Sequence, residues 1–335
     1  MNLKDIAELA GVSTATVSNV LNGNYRKVSD ETRKKVEKIV REEGYKPNAM
    51  ARSLAKNVSR IIGVVVPYVG AEEDFNVNPY NAHMIAALER HIRSRDYYIM
   101  LRSVPRGKDV IPLLASWNVD GAFFLGVMEE EIPQIQTALD APVVFIDSYA
   151  SEGGFSNVGM DDYRGGFLSA EYLLKKGHRS IALVTPQFGE RGVMLSRYNG
   201  FIRAFEEKGI PFSDKDIYIT GSLYESAVKI GQRIASAGKE YTAVAAMSDI
   251  VAFGVIEGLR QCGKRVPEEV SVIGFDNLPE SRYLTPKLTT IAQDFDEKAK
   301  TAVDMLFEKL SDVSVQKDIH LPVKIVERDS VIELK

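Results

Sequence analysis

Three acidic residues close apolar runs beyond the first third of the chain. Asp147 ends PVVFID, Asp249 ends AVAAMSD, and Asp276 ends SVIGFD. Arg197 stands at the start of SRYNGF, a segment with helical spacing. Carboxylates accept hydrogen bonds from hydroxyls, and a guanidinium donates in a fixed fork. Converging on one cleft, Asp147, Asp276 and Arg197 would suit a polyhydroxylated ligand. Tyr80, Trp117 and Phe155 could offer an apolar ring face to a sugar or a base.

Catalytic chemistry finds little support. The adjacent Asp161 and Asp162 could serve acid–base work. No GxSxG elbow accompanies them, and the single cysteine, Cys262, stands alone in QCGK. His83, His91, His178 and His320 are scattered without metal-ligand spacing. Neither GxGxxG after a strand nor GxxxxGK[ST] occurs, so no phosphate loop is present. The expectation is a binding protein without enzymatic activity, cofactor or metal.

The elements that must position these residues are legible from periodicity. IIGVVVP, YYIMLRS, GAFFLGV, VVFIDS, SIALVTP, AVAAMSD and VSVIGFDN read as buried strands. Helical patterns lie between them at Ala82 to Arg93, Gly165 to Lys175, Tyr198 to Lys208 and Ala252 to Gln261. Strands alternating with helices argue for parallel, doubly wound sheets. Such sheets bind ligands beyond the C-terminal ends of their strands.

The first sixty residues differ in kind. They carry a net charge of +5, whereas the remainder carries −9. A basic terminal module on an acidic body suits a nucleic-acid contact made by the module alone. Leu3 to Ala10 reads as a short helix with Ile6, Leu9 and Ala10 inward, and Gly11 makes the turn. Ser13 stands as N-cap of a second helix, Thr14 to Leu21, with Val17, Val20 and Leu21 on its inner face. Ser29 caps a third helix running to Glu43, with Val36, Ile39 and Val40 inward and Gly44 at its end. This is the helix-turn-helix arrangement. The outer face of its second helix presents Thr14, Ala15, Ser18, Asn19 and Asn22. These residues are short enough for the helix to sit deep in a major groove.

LKDIAELAGVSTATVSNVLNG, followed by VSDETRKKVEKIVREEGYKPNAMARSLA, resembles the DNA-binding segment of the lactose-repressor (LacI/GalR) family of bacterial transcription regulators. NVDGAFF, PVVFIDS, LLKKGHRSIALV, SRYNGF, MSDIVAFGVIEGL, RVPEEVSVIGFDN and TPKLTTIAQ extend the resemblance over nearly the whole chain. It implies that Thr14, Ala15 and Asn19 face bases, within a DNA-binding set that includes Ser13, Ser18 and Asn22. It also implies a hinge helix from Asn48 to Lys56, contributing Arg52, Leu54 and Ala55, with Leu54 wedged into the minor groove. Such a helix is too short to persist alone in water. The remainder is similar to periplasmic sugar-binding proteins. Arg191 stands where purine-sensing relatives have a ligand-contacting arginine. The effector set is then Tyr80, Asp147, Arg191, Arg197, Asp249 and Asp276. The loop GAEEDFNVNPY is longer and more acidic than the family usually shows, and the segment from Ser103 to Val119 is shorter.

Residues 1–47 are expected to form an all-α helix-turn-helix domain, and 48–60 a hinge helix and linker. An α/β core of two doubly wound subdomains should follow, 61–161 plus 293–320 and 162–292 plus 321–335. The protein is expected to be a dimeric repressor of double-stranded palindromic operator DNA, controlled by a sugar-like effector. The alternative keeps the DNA role but makes a purine corepressor or a phosphorylated carrier protein the effector. The N-terminus lacks a basic start with an apolar stretch, and no apolar run approaches the roughly 18 residues needed to span a bilayer. A cytoplasmic protein is expected.

Overall fold

Asn2 opens α1 (Leu3–Ala10) with a capping box, its side chain accepting from the Lys4 and Asp5 amides while Asp5 reaches back to the Asn2 amide. Gly11, at φ +65°, ends the helix in a left-handed turn that a side chain would strain. Ser13 caps α2 (Thr14–Leu21) through the Thr16 amide at 3.1 Å, and Ser29 caps α3 (Asp30–Glu42). Ile6, Ala7, Ala10, Val17, Val20 and Val36 form the core of this unit. Leu9, expected inward, is exposed, and Ala7 takes its place. Ile6, Ala7 and Ala10 share one arc of the helix, and Leu9 falls outside it.

The computed structural model describes residues 1–45, 58–67, 78–150, 153–189, 191–221 and 223–334. They fall into two units, Met1–Arg60 and Ile61–Lys335. The segment expected to be a hinge helix, with Arg52, Leu54 and Ala55, lies outside the described residues.

The larger unit contains two six-stranded sheets. The first comprises β1 (Ile61–Pro67), β2 (Tyr98–Val104), β3 (Gly121–Leu125), β4 (Val143–Ile146), β5 (Asn157–Met160) and β11 (Asp318–Leu321). Its order is β2-β1-β3-β4-β5-β11, all parallel. The second comprises β6 (Ile181–Pro186), β7 (Ile217–Thr220), β8 (Ala243–Ala246), β9 (Ser271–Asp276), β10 (Thr289–Ala292) and β12 (Lys324–Val326). Its order is β7-β6-β8-β9-β10-β12, with only the β10–β12 pair antiparallel. The chain passes between the sheets three times: after β5, after β10 and after β11.

Helices cover both faces of each sheet. On the first, α4 (Pro79–Arg93) and α11 (Phe295–Ser311) cover one face, and α5 (Ile111–Ser116) and α6 (Ile132–Ala138) the other. On the second, α7 (Asp162–Lys175) and α8 (Val193–Glu207) cover one face, and α9 (Tyr224–Ala235) and α10 (Asp249–Gln261) the other. Several helices begin a turn earlier than periodicity alone indicates, and in three of them a polar cap (Asn78, Asp161 or Ser248) lies ahead of the first apolar position. Asn78 caps α4, which puts Tyr80 in its first turn. α8 begins at Val193, so Arg197, expected at a helix start, lies one turn inside it.

Two glycines set the distance between α7 and α8. A Cβ on Gly166 would lie 1.8 Å from the Arg197 carbonyl oxygen, and one on Gly200 1.8 Å from the Tyr163 carbonyl oxygen. The helices therefore touch backbone to backbone, which brings the first turn of α7 against Arg197. Gly200→Ala should cost about 3 kcal/mol, the upper part of the usual overpacking range, because both neighbours are backbone. Urea unfolding of the purified protein measures it. A change within about 0.5 kcal/mol would mean the helices part without penalty.

Candidate functional site

The carboxylates at the strand ends meet where the chain passes between the sheets. Asp147 follows β4 at φ +54°, and Asp276 ends β9 at φ +120°. Both are left-handed conformations that non-glycine residues avoid, a form of strain that clusters at functional sites. Asp147 accepts from Lys298 Nζ, which lies 2.8 and 2.9 Å from its two oxygens, and from the Tyr80 hydroxyl. Lys298 Nζ also donates to Gln293 Oε1 at 2.7 Å and to the Tyr80 hydroxyl at 3.2 Å. Gln293 Nε2 then donates to Asp276 Oδ1 at 2.6 Å.

Arg197 continues the network in the second sheet's layer. Its Nη1 lies 3.7 Å from Asp276 Oδ1 and donates to the Met247 carbonyl at 2.6 Å. Its Nε donates to Asp162 Oδ1 at 2.8 Å, and its guanidinium stacks 3.5 Å above the Phe275 ring. The other Asp162 oxygen accepts from the Tyr149 hydroxyl. Tyr149 lies two residues beyond Asp147, so the polar chain closes on itself: Asp147, Lys298, Gln293, Asp276, Arg197, Asp162, Tyr149. It uses the first and second passages between the sheets.

Charge balance explains the electrostatics. Burial is the largest influence on Arg197 and opposes its charge, yet the surrounding carboxylates, led by Asp162 and Asp276, more than offset it. Burial raises the Asp276 carboxyl, and Arg197, Gln293 and Lys298 restrain it. Burial, then the Asp147 charge, pushes the Tyr80 phenol well above its ordinary value, so it remains a donor.

The remaining expected residues fall in different places. Asp249 is fully buried and occupied by the protein itself. It accepts from the Leu278 amide at 2.8 Å, Ser281 Oγ at 2.6 Å and Thr290 Oγ1 at 2.6 Å. It anchors the loop after Asp276 from behind. Arg191 is half-exposed and pairs with Glu129 at 3.1 Å, joining the loops after β6 and β3. Phe155 packs edge-on against Phe145 in the core of the first sheet. Trp117 follows α5 and precedes β3, so it lies at the strand end opposite Asp147. Asp161 caps α7 through the Arg164 amide at 2.9 Å, while Asp162 pairs with Arg197, so the two are not an acid–base couple.

Lys298, Gln293 and Tyr149 escaped the reading of the sequence. One signal for Lys298 was present. Phe295, Lys298, Ala299, Ala302, Val303 and Leu306 recur at helical spacing, which puts the lysine on an apolar face.

Burial and the nearby Asp276 push the Asp249 carboxyl up to about 7. Its proton is therefore held more tightly in the folded chain than in the unfolded one. The associated stability is present at low pH and lost as pH rises from the ordinary carboxylate value toward about 7. Asp249→Asn should flatten this fall, read as melting temperature against pH. An unchanged slope would move the titration elsewhere.

In the first unit, Ser13, Thr14, Ala15 and Asn22 are exposed, whereas Ser18 and Asn19 are half-buried. The Asn22 amide turns back to the Ser18 carbonyl at 2.8 Å and hydroxyl at 3.2 Å. Thr14 and Ala15 thus form the open part of the face, and Ala15 can read a base only by apolar contact, such as with a thymine methyl.

A helix-turn-helix unit followed by two sheets with polar residues gathered at their strand ends defines a DNA-binding regulator with an effector-binding body. Residues 2–48 match the model for bacterial regulatory proteins of the lacI family, and residues 170–331 match that for a periplasmic binding protein-like domain. The chain is 34% identical over 342 residues to the HTH-type transcriptional repressor PurR of Erwinia tasmaniensis, covering 99% of this chain and 97% of the relative. It is 35% identical over 344 residues to the PurR repressor of Yersinia pestis, with the same coverage. Among solved structures it is similar to the lac repressor dimer bound to operator and the anti-inducer ONPF, with a TM-score of 0.86, 26% identity and 99% of each chain covered. A LacI-family regulator from Enterococcus faecium matches with a TM-score of 0.72 and 29% identity, over 82% of this chain and 100% of that one. The chain belongs to the lacI family of bacterial regulatory proteins, and its relatives are transcription repressors rather than enzymes. No helix among the described residues is long and apolar enough to cross a membrane.

Proposed function

We propose that this protein is a cytoplasmic repressor that binds a palindromic operator as a dimer and releases or tightens its grip when a sugar-like metabolite enters the cleft between the sheets. The observation that carries the effector reading is the convergence of Asp147, Asp276 and Arg197 from strand ends and helix of two different sheets. Asp147 and Asp276 accept from ligand hydroxyls, Arg197 orients Asp276, and Tyr80 supplies a ring beside them. One solved relative fits this class: the Enterococcus faecium regulator holds ribose.

A nucleobase corepressor is the second reading. The relatives named PurR favour it, as does Arg191, where the resemblance implies a purine-contacting arginine. The pairing of Arg191 with Glu129 weighs on the side of the sugar, because a base would have to compete for that guanidinium.

Thermal-shift screening of sugars, sugar acids, sugar phosphates and nucleobases tests both readings, since a ligand selective for the native state raises its melting point. A rise with sugars alone supports the first reading, and a rise with nucleobases alone replaces it with the second. For the DNA, Leu54→Ala should abolish bending and lower specific affinity while sparing salt-sensitive nonspecific binding. An unchanged bend angle on a palindromic site would return Leu54 to the role of a linker residue.

A further inference from the structure

Lys298 is unusual among the site residues. Its side chain is completely buried, on the face of α11 that packs against the first sheet. A buried ammonium is costly unless paired and fully hydrogen-bonded. Here its donors are all engaged by Asp147, Gln293 and Tyr80, at 2.7 to 3.2 Å. None is left for a ligand. Asp147 keeps 13% of its side chain exposed whereas Lys298 keeps none, so of the pair the carboxylate is the member with surface left for a ligand.

We propose that Lys298 is the specificity-determining residue of the effector cleft, cancelling the Asp147 charge so that the site admits uncharged ligands and rejects charged analogues. This rests on the effector reading above and narrows it to a chemical class. An ammonium-bearing ligand gains little at Asp147, because that charge is already compensated. A phosphate or carboxylate ligand must pull Lys298 away from Asp147, and it meets the Asp147, Asp162 and Asp276 carboxylates as it does so. An uncharged polyol uses the remaining acceptor capacity of Asp147 and breaks no ion pair. The same charge logic admits a neutral nucleobase.

The test compares full-length wild type with Lys298→Met, Lys298→Arg and the double variant Lys298→Met/Asp147→Asn. The probes are glucose, glucosamine, glucose 6-phosphate, ribose, ribose 5-phosphate and hypoxanthine, titrated calorimetrically. Wild type should bind only uncharged members of the set. Lys298→Met should shift the glucosamine-to-glucose affinity ratio toward the amine by about tenfold or more, since Asp147 then lacks a counter-charge. Lys298→Arg should keep the wild-type ratio. Tighter binding of a charged probe than of its neutral partner by wild type overturns the proposal, as does an unchanged ratio in Lys298→Met.

A ligand-free arm separates this from the effector reading. Lys298→Met should lower the melting temperature by several degrees, and adding Asp147→Asn should recover at least half of the loss. Loss of packing alone would not be recovered by changing the aspartate. If no probe binds any variant but the recovery is seen, the effector reading fails while the charge pairing stands. If the recovery is absent, the charge pairing itself is refuted.

Discussion

Arg197→Ala is expected to destabilise the effector body by about 3–5 kcal/mol, the usual cost of removing one partner from a buried ion pair. The guanidinium is only 5% exposed and compensates Asp162 at 2.8 Å and Asp276 at 3.7 Å. Its loss leaves two buried carboxylates facing each other across the vacated volume. The Met247 carbonyl loses its donor, and Phe275 loses the stacked cation. The same substitution should remove effector binding, because Asp276 then takes a proton or swings toward Gln293. Arg197→Lys, which retains charge but not the fork, should recover part of the stability and little of the binding. Denaturant unfolding and calorimetry read the two effects separately. Wild-type stability in Arg197→Ala would show that the carboxylates are neutral without it. Full effector affinity in a folded variant would remove Arg197 from the site.

Deleting residues 1–60 should lower operator affinity by at least about a thousandfold, to the level of nonspecific contact or below. The deleted segment carries the basic excess, and the remaining body has a net charge of −9 that repels phosphate. It also carries the exposed face of α2 with Thr14 and Ala15, the face proposed to read bases. The body should keep its fold and its effector affinity, because Ile61–Lys335 holds both sheets and every residue of the polar chain. Gel shifts with a palindromic site selected by the full-length protein measure the loss. Specific binding retained by the body would place DNA recognition outside the helix-turn-helix.

Periodicity and caps carried most of the fold. Buried parallel strands such as VVFID and SVIGFD read as unbroken apolar runs, and Ser13 and Ser29 stand where helices start. Short strands were harder: NVGM (β5) and DIHL (β11) lack a long apolar run because their identity comes from the neighbours they pair with. Among residues of the polar chain, Asp147 and Asp276 were legible because they close buried strands, and Arg197 because it lies in a helix that follows one. Asp249 obeys the same positional rule, yet its oxygens are taken by Leu278, Ser281 and Thr290, which lie 29 to 41 residues away in sequence. No local pattern reveals donors that distant. Lys298 was hidden for a related reason. A lysine in DEKAK reads as solvated surface until its counter-ion, 151 residues earlier, is placed beside it.

If effector occupancy and operator binding are linked, reciprocity makes the linkage measurable. The decisive experiment titrates one effector, identified by thermal shift, into the free protein and into its operator complex. If the cleft controls DNA binding, the two effector affinities differ by the same factor by which saturating effector changes operator affinity. Equal effector affinities with and without operator would show that the cleft does not control DNA binding.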